Sequence, residues 1–69
     1  MDKNWERIYL SNQMHLVEIV KAVLADNNIP TVVVDKRDSS YISIGDIEVY
    51  VSEENAILAR VIIEQNQIE

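Results

Sequence analysis

The chain has 69 residues, no cysteine, and twelve acidic against six basic side chains, a formal net charge of −6. That balance works against nucleic acid and anionic membrane as partners, since both demand clustered cations. Without cysteine there is neither a disulfide framework nor a zinc ribbon. The length fits one domain, residues 1–69. A chain so short buries only about 60% of the surface its unfolded form exposes. Self-association would add to that, which leaves room for a homodimer.

Residues Trp5 to Ser11 read as a strand. Strict alternation puts Ile8 and Leu10 on one face and Trp5, Arg7 and Tyr9 on the other. Ser11 and Asn12 are both good helix caps, so a helix is expected to start there. Leu16, Val17, Val20, Val23 and Leu24 then share one arc, with Glu18 and Lys21 opposite, one turn apart. Asn27-Asn28 suits the helix end, and Pro30 prevents continuation. His15, the single histidine, falls in the first turn without convergent partners.

Thr31 to Val34 is a β-branched second strand. A polar connection runs from Asp35 to Asp46, with the single glycine, Gly45, near its end. Glycine there fits a positive φ in a turn or bulge. Ile47 to Val51 is a third strand, with Ile47, Val49 and Val51 inward and Glu48 and Tyr50 outward. Ile42 and Ile44 alternate with polar residues, so it could begin earlier. Ser52-Glu53-Glu54 then opens a second helix with a hydroxyl and two acids at its positive end. Ala56, Ala59, Ile62 and Ile63 form its buried arc, and the two alanines permit close approach to the sheet.

The order β-α-β-β-α predicts an α+β fold, a ferredoxin-like split βαβ lacking its last strand. The helical crossover makes the first two strands parallel. The expected strand order is 1-3-2, with both helices on one face and strand 1 at an open edge.

The segments Trp5-Glu6-Arg7-Ile8-Tyr9, Leu24 to Pro30, Lys36 to Tyr41, Gly45, Glu48 to Val51, and Ala56 to Ile63 carry a resemblance. Together they resemble the small bacterial domain DUF2007, a family linked to signal transduction. The resemblance covers nearly the whole chain, though most of its positions are core positions. It implies a PII-like, ferredoxin-like fold and a regulatory or binding role. It carries over no catalytic residue and no cofactor.

Two surfaces are candidates for function. The first is the sheet face away from the helices, to which alternation assigns Trp5, Arg7, Tyr9, Val33 and Tyr50. It would hold three of the four aromatics, where an uncovered sheet face is ordinarily polar. In the plainer reading the rings simply cover backbone, and Arg7 pairs with Glu48 across strands. The second is the loop Arg37, Asp38, Ser39, Ser40 and Tyr41. It is either a recognition loop, with Arg37 taking a carboxylate or phosphate, or a solvated tip. Ile57 and Val61, one turn apart on the second helix, make a smaller patch.

Catalysis is not expected. Ser39, Ser40 and His15 lack the local geometry of a nucleophile site. Asp35, Asp38, Asp46 and Glu48 do not match a calcium-loop spacing, so no metal is expected. The charged N-terminus lacks a secretory apolar core, and no run is long enough to span a bilayer. The expectation is a cytoplasmic module that contacts an unknown protein partner. The alternative is a sensor holding an anionic metabolite through Arg7 or Arg37.

Overall fold

The computed structural model describes residues 4–36 and 46–68. The elements are β1 (Trp5–Ser11), α1 (Met14–Asp26), β2 (Val32–Asp35), β3 (Ile47–Ser52), a 3-10 turn (Glu53–Asn55) and α2 (Ala56–Gln65). The sheet is antiparallel with order β1-β3-β2. Both β1 and β2 pair antiparallel to β3, so they run parallel to each other, as the helical crossover requires. Both are edges of the sheet, whereas the expectation named strand 1 alone as the open edge.

Both helices cover one face. Val17, Val20 and Leu24 of α1 meet Ile47, Val49 and Val51 of β3 and Ala56, Ala59, Ile62 and Ile63 of α2 in one core. Leu16 and Val23 are half-buried at its margin. Glu18 and Lys21 pair at 3.7 Å on the outer side of α1.

Helix starts differ from the expectation. α1 begins at Met14 with Gln13 at the cap, and Gln13 accepts from the amides of Leu16 and Val17. Ser11 does not cap the helix; its hydroxyl accepts the Gln13 N–H at 3.0 Å and folds the connection instead. Ser52 likewise caps no backbone amide. Its hydroxyl accepts from Asn55 Nδ2 at 3.2 Å across the 3-10 turn.

Both helices end in the same way. Ile29 N–H reaches Leu24 C=O and Asn28 N–H reaches Ala25 C=O; Ile68 reaches Ile63 and Gln67 reaches Glu64. These are two Schellman motifs, with Asn28 at φ 61° and Gln67 at φ 58° in the left-handed position. In each, an asparagine amide (Asn27, Asn66) donates to a carbonyl four residues back at 2.8 Å. The isoleucine that follows is drawn against the core. Asparagine tolerates the left-handed region; glutamine does so at a cost of about 1 kcal/mol. Gln67→Gly is therefore expected to stabilise the domain by roughly 0.5 kcal/mol, after the entropy of glycine is counted. A urea melt checks it, and a destabilised variant would contradict the strain.

The ladder holds one irregularity that decides which residues face where. Arg7 pairs with Tyr50 and Tyr9 with Val49, so Ile8 is an extra residue, a bulge. Opposed residues in an antiparallel pair share a face. Tyr9 therefore joins Val49 on the helix side and packs against the core. The alternation expected through β1 is broken at Ile8, and Tyr9 does not belong to the uncovered face. Val33 pairs with Val49 and also packs against the core. The outward residues of β2 are Val32, opposite Tyr50, and Val34, opposite Glu48.

Candidate functional site

The uncovered face is built from Trp5, Arg7 and Leu10 of β1, Glu48 and Tyr50 of β3, Val32 and Val34 of β2, and Lys36 just beyond. The bulge brings Leu10 opposite Glu48 while keeping Arg7 opposite Tyr50. Of the five residues that alternation assigned here, Trp5, Arg7 and Tyr50 are in place; Tyr9 and Val33 are on the other side. The loop residues Arg37, Asp38, Ser39, Ser40 and Tyr41, and Gly45, lie outside the described residues.

At the centre is Glu48. It lies on the face that no helix covers, yet it is only 7% exposed. Its neighbours close over it. Arg7 Nη1 is 3.2 Å from Oε2, Lys36 Nζ is 3.4 Å from Oε1, and the Tyr50 hydroxyl donates to Oε1 at 2.9 Å. The Arg7–Glu48 pair is the cross-strand contact anticipated from the sequence. Lys36 is a third partner that the sequence did not indicate.

Electrostatics follow from this geometry. The Tyr50 hydroxyl, then Lys36 and Arg7, hold the Glu48 carboxyl below its ordinary value of 4.5, against burial, which pushes it up. The same hydrogen bond to Glu48, with burial, raises the Tyr50 hydroxyl above 10.0. A depressed carboxylate adds stability above its unfolded value and loses it as pH falls through the folded one. Wild type is thus expected to lose stability below pH 4.5 more steeply than Glu48→Gln; parallel acid-unfolding curves would refute the pairing. The Tyr50 contribution has the opposite sign, present below pH 10.0 and lost above it.

Around this cluster the face is apolar. Trp5 is 47% exposed, Leu10 41% and Val32 43%. The β1 edge is held differently. Arg60 of α2 pairs with Glu6 at 2.7 Å and donates to the Arg7 carbonyl at 3.3 Å, beside the bulge. On the far side of the molecule Ile57 and Val61, the smaller patch expected there, are exposed on α2, and Leu58 is exposed beside them. His15 is exposed on α1. Among the described residues no group of three or more His, Asp or Glu side chains is placed to hold a metal ion. Nor is any helix among them long and apolar enough to cross a membrane.

The family model of DUF2007, described as "Putative prokaryotic signal transducing protein", matches residues 5–67. The chain belongs to the DUF2007 family. No curated protein and no solved structure matches it. The family description supports a regulatory role in general terms. In this DUF2007 domain the matched span takes in every described element from β1 to α2, and with them the whole Glu48 cluster.

Sequence reasoning missed Leu10, Val32, Val34 and Lys36 as members of this face. Nothing in Ile8 announces a bulge, because no glycine marks it. In a run of three valines, Val32 to Val34, hydrophobicity is the same whichever parity is chosen.

Proposed function

We propose that this domain is a cytoplasmic regulatory module that acts by protein–protein contact through the uncovered sheet face, and that it is a binder rather than an enzyme. One observation carries the reading. Trp5, Leu10 and Val32 stand exposed around a carboxylate already satisfied by Arg7, Lys36 and Tyr50. An apolar rim around a buried carboxylate that keeps its partners Arg7, Lys36 and Tyr50 loses little on desolvation at that carboxylate. The alternative, an anionic metabolite held by Arg7, draws less support, since Arg7 already serves Glu48. The titratable groups on this face are paired with one another, which favours a binding role over proton-transfer chemistry.

The experiment compares three immobilised forms in lysate of the source cell: wild type, Leu10→Ser with Val32→Ser, and Ile57→Ser. Circular dichroism establishes that each is folded. A partner kept by wild type and Ile57→Ser, and lost from the double variant, is the expected result. Equal retention by all three, or loss with Ile57→Ser alone, overturns the reading. So does a chain that light scattering finds monomeric and that retains nothing.

A further inference from the structure

The domain is a thin slab, with Cα extents of 33 × 32 × 15 Å. The short axis fits two layers, helices on sheet, packed about 10 Å apart. One broad side is the helices; the other is the uncovered sheet. Each spans on the order of 1,000 Å² in projection, enough to supply the roughly 800 Å² that one partner gives to a standard interface.

The other surfaces suit a second copy poorly. Beside the bulge the Arg7 carbonyl accepts Arg60 Nη2 at 3.3 Å, so the β1 edge is capped where a strand would add. The β2 edge is only four residues long, too short to offer much of a ladder. On the helix side stand Glu18, Asp26 and Glu64, with Glu53 and Glu54 on the 3-10 turn. Copies meeting there would set like charges together.

The uncovered face is different. Its rim of Trp5, Leu10 and Val32 is apolar. At its centre Arg7 and Lys36 share Glu48, and Asp46 stands opposite Lys36 across the ladder. The face therefore carries at most one net charge in a chain of −6. A partner of opposite charge is not what it calls for. What fits is a surface equally apolar at its rim, nearly neutral, and matched in width and twist. A second copy of the same face meets all of these conditions, since two sheets of like twist pack about 10 Å apart at about 30°.

We propose that the uncovered sheet face docks on the same face of a second copy about a two-fold axis, giving a helix–sheet–sheet–helix sandwich. In such an isologous interface every rim residue is buried twice, once in each copy. Glu48 keeps Arg7, Lys36 and Tyr50, so the buried carboxylate stays paired. The two helix layers end up about 30 Å apart, well beyond a screening length of about 8 Å. The acids they carry thus oppose association little. A domain of 69 residues gains in this way the burial that a larger core would supply. The proposal rests on the protein-contact reading and names the partner as the chain itself.

Sedimentation equilibrium of the full chain, at concentrations up to about 0.3 mM, tests it. The mass should double. Trp5 is the sole tryptophan and half-exposed on the docking face, so its emission should shift to the blue in step with the mass. Leu10→Ser with Val32→Ser should weaken association at least roughly tenfold, and Ile57→Ser should leave it within about twofold. Circular dichroism checks that each is folded. Should the double variant not fold, Val32→Lys takes its place; it sets two new cations in one interface, and the same loss is expected. Between about 0.05 and 0.5 M salt the dissociation constant should change less than about threefold. A chain that stays monomeric, a dimer that the face variants leave intact, a dimer lost with Ile57→Ser, or a steep salt dependence would each overturn the proposal. A monomeric chain whose face still retains a different protein from lysate overturns the second copy and leaves the contact reading standing.

Discussion

Leu24→Ala is expected to lower the unfolding free energy by about 3 kcal/mol and the melting midpoint by roughly 15 °C. Leu24 is fully buried and among the largest side chains that are. It stands where three things meet. Its side chain fills the space between α1 and the sheet, its carbonyl accepts the Ile29 N–H at 2.9 Å, and Ile29 is drawn into the same core. Truncation leaves a cavity that the surroundings fill only in part, because α1 is held by Val17 and Val20 on the same stripe. The cost should couple to Ile29→Ala, since the two residues share one cap, so the double variant should lose less than the sum. Urea unfolding of all four chains measures this. A loss under about 1 kcal/mol for Leu24→Ala would mean the helix end collapses freely onto the sheet. The effect should reach Asn28 and Pro30, because both are positioned by that helix end.

The helices were legible because burial there follows a 3.6-residue period that a single sequence displays. Val17, Val20 and Leu24, and Ala56, Ala59, Ile62 and Ile63, all lie where their spacing placed them. Strand order followed from the helical crossover and the hairpin that must lie between its ends. The uncovered face was harder, and β1 shows why. Without Ile8 the strand would run Trp5, Glu6, Arg7, Tyr9, Leu10, Ser11 and alternate regularly, out and in, against β3. The bulge inserts one residue and leaves both flanking ladders in register, so counting by two across it gives the wrong face for everything on one side. A period-2 argument carries no warning of this. Glu48 was legible only in part. A carboxylate in a central strand, outward by parity, ordinarily meets water. Here Arg7, Lys36 and Tyr50 converge from three positions and bury it. The shallow groove at one end of the sheet could not be read at all from spacing, since three segments far apart in sequence supply its walls: Trp5, Asn28 with Pro30, and Ser52 with Glu54 and Asn55.

Those positions depend on how closely α2 approaches the sheet, which makes Ala59→Leu the sharper test of the architecture. Ala59 is fully buried in the core beneath α2, and Ala56 one turn earlier is nearly so. The two small side chains let the helix lie close enough for Arg60 to reach Glu6 at 2.7 Å and the Arg7 carbonyl at 3.3 Å. Three added carbons have nowhere to go among Val49, Val51 and Ile63 without lifting the helix. The expected cost is about 3 kcal/mol, the upper part of the range for overpacking a filled core. Arg60→Ala alone should cost under about 1 kcal/mol, because the pair is half exposed. In the Ala59→Leu background it should cost nothing further, since the lifted helix has already parted Arg60 from β1. Ala59→Gly separates the two causes. It gives up about 1 kcal/mol of helix propensity but preserves the close approach, so Arg60→Ala should keep its effect there. If Ala59→Leu unfolds within about 0.5 kcal/mol of wild type, the alanines are not what sets the helix height. Arg60 would then hold the bulged strand by reach alone, and Arg7 would owe its place over Glu48 to the sheet and not to the helix behind it.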